Sequence, residues 1–209
     1  MSSEQEALDY YVEPTGDRIS CFVAARRDAR LTAGRDADTG AIVSEPSTGC
    51  WLGAIGYLLL LDQLGTAVQP RLGPGVASPA ADVPSIMKAL EWFAPSVTPK
   101  GRKVLYALRC ALAHDYSLFN KHGKDPELQH EFALHRGTGR LIQLPTTSWS
   151  GSYTAIGREP TYVSLRLLGD RVEEACEAVR STHRRGQLTI GVGLTPDDLA
   201  QRYTLKVYK

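Results

Sequence analysis

The segment Arg109-Cys110-Ala111-Leu112-Ala113-His114-Asp115-Tyr116 gathers the side chains best suited to chemistry. A histidine that titrates near neutrality can take or give a proton, while an arginine stays cationic and presents a planar fork of donors. Together they fit metal-independent RNA cleavage. His114 would move the proton at the 2′-hydroxyl or the leaving oxygen, and Arg109 would stabilise the charge that develops on the phosphate. The plainer arrangement of the same residues has His114 capping carbonyls near a helix end and Arg109 paired with an acid such as Asp115.

The element that must position them is a helix expected from Lys100 to Leu118. With Leu105 at 0° and about 100° per residue, Val104, Leu108, Ala111 and Leu112 fall in an arc of roughly 240° to 340°, giving a core face beside Leu105. Arg109 then lies at about 40° and His114 at about 180°, so spacing alone does not set them side by side. Ala113 and Cys110 between them are small enough to admit a crossing helix. Two-fold packing of two copies would bring Arg109 of one chain near His114 of the other.

Arg109, four residues, His114, one residue and Tyr116 resemble the signature of HEPN domains, and most closely that of HEPN toxins paired with minimal nucleotidyltransferase antitoxins. The likeness covers Arg102 to Leu118, and the preceding helices in architecture only. It implies a dimerising helical bundle acting as a metal-independent ribonuclease in toxin, defence or stress systems, with Arg109, His114 and Tyr116 as the candidate catalytic residues, RNA as partner and neither cofactor nor metal. It also implies a cognate antitoxin or nucleotidyltransferase that would modify the Tyr116 hydroxyl. Cys110 stands where family members frequently carry a polar residue. Some members only bind or dimerise, so the alternative is a non-catalytic helical dimer that holds a partner or nucleotide in the same groove.

The rest of the chain fits a single elaborated domain over 1–209, with a helical core over 14–122 and a β-hairpin elaboration and C-terminal helix over 123–209. The expected class is mainly α with a small sheet, α+β overall. At 43% hydrophobic and 22% charged residues the composition is that of a folded globular chain, which excludes wholesale disorder. Cys21, Cys50, Cys110 and Cys176 lack the paired short spacing of zinc or redox sites, and no signal peptide opens the sequence, so reduced thiols in a cytoplasm are expected. The longest apolar stretch, 50–61, falls short of a membrane span.

Further helices are read over 16–33, over 51–64 with Gly65 as terminator, over 82–93, from Asp170 to about Gly186, and from Thr195. The segment 68–83, with Pro70, Pro74, Pro79, Gly73 and Gly75, is read as a linker without regular structure. Residues 130–135 and 140–144 around Arg136-Gly137-Thr138-Gly139 read as a hairpin, with further strands over 162–168 and 203–208.

Net charge is only +1, but residues 100–140 hold eight Lys or Arg against four Asp or Glu. Lys121, Lys124, Arg136 and Arg140 are the candidate phosphate contacts of that basic stretch. His122, His130 and His135 fit no metal-ligand spacing, Gly191-Val192-Gly193 reads as a turn, and 146–152 around Trp149 as a surface loop.

Overall fold

The apolar run that begins at Cys50 folds as the helix around which the others pack. The computed structural model describes residues 3–14, 19–43, 50–71, 73, 79–80, 82–122, 125–153 and 159–205. In chain order the elements are α1 (Glu4–Val12), β1 (Ile19–Ser20), α2 (Cys21–Thr32), α3 (Cys50–Ala67), β2 (Val68–Pro70), α4 (Ser85–Phe93) and α5 (Pro99–His114). They continue with β3 (Phe119–Asn120), a 3-10 turn (Pro126–Leu128), β4 (His130–His135), β5 (Ile142–Gln143), β6 (Thr161–Ser164), α6 (Leu165–Arg184), β7 (Leu188–Ile190), α7 (Pro196–Arg202) and β8 (Thr204–Leu205). The chain is mainly α with some β, as the sequence leads one to expect.

Helix α3 packs against α2, α4, α5 and α6, and Tyr57, Leu58, Leu60, Leu61 and Leu64 on it are all buried. A helix apolar on nearly every side must be covered on nearly every side. It runs through Gly65 to Ala67 and does not stop at the glycine. A Cβ at Gly65 would lie 1.8 Å from the Ser85 carbonyl oxygen, so this glycine lets the start of α4 press onto α3.

Helix α5 begins where Thr98 accepts a hydrogen bond from the Gly101 N–H and Pro99 occupies the first turn. Val104, Leu105, Leu108, Ala111 and Leu112 are buried, together with Ala107, which matches the core face read from the sequence. The helix ends at His114, four residues short of the expected Leu118. Asp115 follows as C-cap and Tyr116 takes the left-handed conformation, φ 47°, that turns the chain away.

The expected hairpin does not form. β4 and β5 are not neighbours, because β6 lies between them, parallel to β4 and antiparallel to β5, in the order β3-β4-β6-β5. The Ser164 hydroxyl donates to the Gly137 carbonyl and the Ser164 N–H to the Leu141 carbonyl, so the connection after β4 wraps the end of β6. Fully buried Val163 gives that strand its central place. Ser164 also accepts from the Leu167 N–H, which starts α6 five residues before the expected Asp170.

Residues 68–70 of the expected linker form β2, paired with β7, while Pro74 and Gly75 lie outside the described residues. The closing strand is β8 on β1, and 206–208 lie outside the described residues. Helix α1, closed by a Ser3–Glu6 capping box, had no counterpart in the sequence reading. One apolar cluster joins Ala7 on α1 to Leu199 on α7. Among the described residues no helix is long and apolar enough to cross a membrane.

Candidate active site

Arg109 and His114 meet within one chain. Arg109 Nη1 lies 2.7 Å from His114 Nε2, although the helical wheel sets the two residues far apart. Two features close the gap. The arginine side chain is long enough to run along the helix axis, and His114 is the last residue of α5, where no further turn stands in the way. The pair therefore forms within one chain, without a contribution from a second copy.

The acid that holds Arg109 is Asp62 on α3, not Asp115. Asp62 Oδ2 accepts from Arg109 Nε at 2.7 Å and pairs with Nη2 at 2.6 Å, with both side chains about one-fifth exposed. Its other oxygen, Oδ1, accepts the Ile86 N–H at 3.1 Å. The residue preceding α4 is Pro84, which offers no side-chain cap, so a carboxylate from α3 caps α4 instead. Asp62 thus fixes a helix end and the arginine at once. The signal for it in the sequence was one acid closing an otherwise apolar helix.

Guanidinium offers five N–H donors and no acceptor. Among the described residues three are used, on Asp62 and His114, leaving two for an incoming anion. Because Arg109 can only donate, His114 Nε2 is the acceptor of that bond and the ring proton sits on Nδ1. Arg109 and Asp62, but not His114, line a cleft of about 640 Å3 together with Ser85, Tyr106, Arg202 and Tyr203. Burial raises the Tyr106 phenol, with the Cys110 thiol next to it adding to the effect.

Tyr116 is mostly exposed and packs its ring 5.5 Å from that of Trp51 on α3. It stands two residues beyond His114, at the turn that closes α5. The other nominated cations belong elsewhere. Lys121 lies over the Tyr153 ring at 5.8 Å, Arg136 follows β4, and Arg140 lines a second cleft near the start of α5. Lys124 lies outside the described residues.

The three histidines considered as metal ligands, His122, His130 and His135, serve local structure. His130 is buried, accepts from the Thr161 hydroxyl at Nδ1 and donates from Nε2 to the Glu127 carbonyl. Burial pushes its pKa down. His122 and His135 accept from the N–H groups of Asp125 and Gly137. The 146–152 segment is the expected surface loop, without regular structure and mostly exposed, with the Trp149 ring tucked against Phe119 and Tyr153.

Compared with protein-family models, with curated proteins and with solved structures, the chain matches none of them.

Proposed function

We propose that the protein is a HEPN-like, metal-independent endoribonuclease acting in the cytoplasm as a toxin or defence effector, with Arg109 and His114 as its catalytic residues. The observation that carries this reading is the 2.7 Å contact between His114 Nε2 and a guanidinium that keeps two donors free. An RNA phosphate drawn to Arg109 competes for the Nη1 donor and releases the Nε2 lone pair. That nitrogen then takes the proton of the 2′-hydroxyl as its oxygen attacks the adjacent phosphorus, and the proton is delivered to the departing 5′-oxygen. The products are a 2′,3′-cyclic phosphate and a 5′-hydroxyl. Arg109 stabilises the charge gathered on the phosphoryl oxygens.

Two copies would pair through the outer faces of α3 and α5. Asp62–Arg109 ties α3 to α5 and Trp51–Tyr116 ties α3 to the turn after α5, and the exposed Leu52 and Leu59 lie between Trp51 and Asp62 in the α3 sequence. Exposed apolar side chains grouped beside a polar site favour association. The dimer then brings two complete Arg–His pairs into one groove, with Tyr116 exposed for a nucleotidyltransferase partner and Lys121, Arg136 and Arg140 as candidate RNA contacts.

Incubating the purified protein with RNA in EDTA tests the reading. Cleavage to 2′,3′-cyclic ends that survives chelation, and falls by about 10²-fold or more in both Arg109→Ala and His114→Ala, is the expected result. Folded protein that cleaves no RNA would leave the non-catalytic dimer, binding a partner or nucleotide.

A further inference from the structure

Two adjoining clefts run beside the first turns of α5, remote from the Arg109–His114 pair. The larger, about 510 Å3, has walls of Val97, Val104, Leu141, Ile142 and Leu144, with Lys100 and Arg140 among its lining. The smaller, about 250 Å3, shares Lys100 and Leu144 with it and continues over Gln129, His130 and Trp149. Lys100 and Arg140 are exposed, and neither has an ion-pair partner among the described residues. The carboxylate that lines the smaller cleft, Glu127, is engaged by Lys103.

The charge continues past the second cleft. A side chain at Gly151 would meet both Gln129 and Lys121, which places Lys121 beside the Gln129 wall. Lys121 sits over Tyr153, whose ring is 57% exposed and packs on Trp149 and Phe119. Cations at Arg140, Lys100 and Lys121 are therefore strung along apolar hollows that end on an exposed aromatic ring.

We propose that this groove binds single-stranded RNA, its phosphates on Arg140, Lys100 and Lys121 and its unpaired bases in the two clefts and against Tyr153. The proposal rests on the ribonuclease reading and assigns the strand's path outside the catalytic pair. Phosphate contacts by separate cations and base contacts by apolar or aromatic walls are the two parts of single-strand recognition. A duplex keeps its bases stacked inside and offers such hollows nothing. Lys100 and His114 are fourteen residues apart on one helix, about 21 Å along its axis, so one strand reaches both only when it is several nucleotides long.

The test uses full-length His114→Ala, in which RNA stays intact, with a labelled unstructured 12-nucleotide RNA and a hairpin duplex of the same composition. The expected result is tighter binding of the single strand by tenfold or more. In Lys100→Glu/Arg140→Glu on that background, single-strand affinity falls by about tenfold and the slope of log K against log salt shrinks by about 1.4, the loss of two phosphate contacts. In the enzyme with His114 restored, the same two reversals raise KM for the 12-mer. Equal affinity for duplex, or an unchanged affinity and salt slope in the double reversal, overturns the groove even if the protein cleaves RNA. Groove-dependent binding by a wild-type protein that cleaves nothing upholds the groove and defeats the catalytic reading instead.

Discussion

Asp62 and Arg109, 47 residues apart in the chain, share one carboxylate oxygen between two guanidinium N–H groups, while the other oxygen of Asp62 caps α4. Arg109 is thereby tied to the packing of α3 against α4 and α5.

Substitution separates the two duties of that carboxylate. Asp62→Asn keeps an oxygen for the Ile86 N–H but removes the charge that orients Arg109, whereas Asp62→Ala removes both. Urea unfolding should show Asp62→Ala destabilised by about 2 kcal/mol, and Asp62→Asn by about half that. RNA cleavage by Asp62→Asn should fall by about 10²-fold in kcat with KM little changed, because the arginine is present but misplaced. Undiminished kcat in Asp62→Asn would show that Arg109 holds its position without this partner.

Ala113 is exposed on α5 next to His114, at the face proposed to meet a second copy. Tryptophan there overfills a close helix crossing, which costs about 1–3 kcal/mol of association. Sedimentation of Ala113→Trp should shift from dimer toward monomer at micromolar concentration, with the thermal melt of the monomer preserved. A dimer of unaltered affinity would place the interface away from α5.

Locally encoded features were legible in the sequence and distant contacts were not. The buried face of α5 follows from 3.6-residue spacing, and the start of α7 at Thr195 from Thr195-Pro196-Asp197-Asp198, which the structure closes with a capping box. Gly65 reads as a helix stop by local rules, yet it serves a close approach to Ser85 that only the tertiary fold reveals. The β4–β6 pairing joins Phe132 to Thr161, and no turn signal encodes such a separation, so the glycines near 137 point to a hairpin instead. The Arg–His motif itself was legible. Its anchor was not, because a single aspartate at the edge of an apolar helix is what any helix surface can carry.

Glu173 on α6 shows how the scaffold beneath the site responds to acid. It accepts from Arg26 Nε and Nη2 and from Arg30 Nε and Nη2, all at 2.6–2.9 Å, and both arginines are buried. Arg30 also donates to the Ala37 and Asp38 carbonyls, so the cluster fastens α2, α6 and the loop after α2 together. Burial alone would raise the Glu173 pKa, but the hydrogen bonds from Arg30 and Arg26 and their charges outweigh it, and the net shift is downward. Between its folded value and an unfolded value of about 4.3, the unfolded chain binds the extra proton, so stability rises with pH across that window. The contribution is complete above it and is lost as pH falls through the folded value. Glu173→Gln removes the charge at every pH, leaving buried Arg30 without a carboxylate among the described residues and buried Arg26 with Glu177 alone, at a cost of about 3–5 kcal/mol. For a chain of this size that lowers Tm by roughly 6–20 °C at pH 7. The difference between wild type and variant should narrow as pH falls below about 4, and replacing Arg26 and Arg30 by methionine in the Glu173→Gln background should recover part of the loss, because no buried charge is then unpaired. Calorimetry from pH 7 to pH 3 distinguishes the outcomes, since Tm curves that stay parallel for wild type and Glu173→Gln would mean that the Glu173 charge contributes nothing to folding.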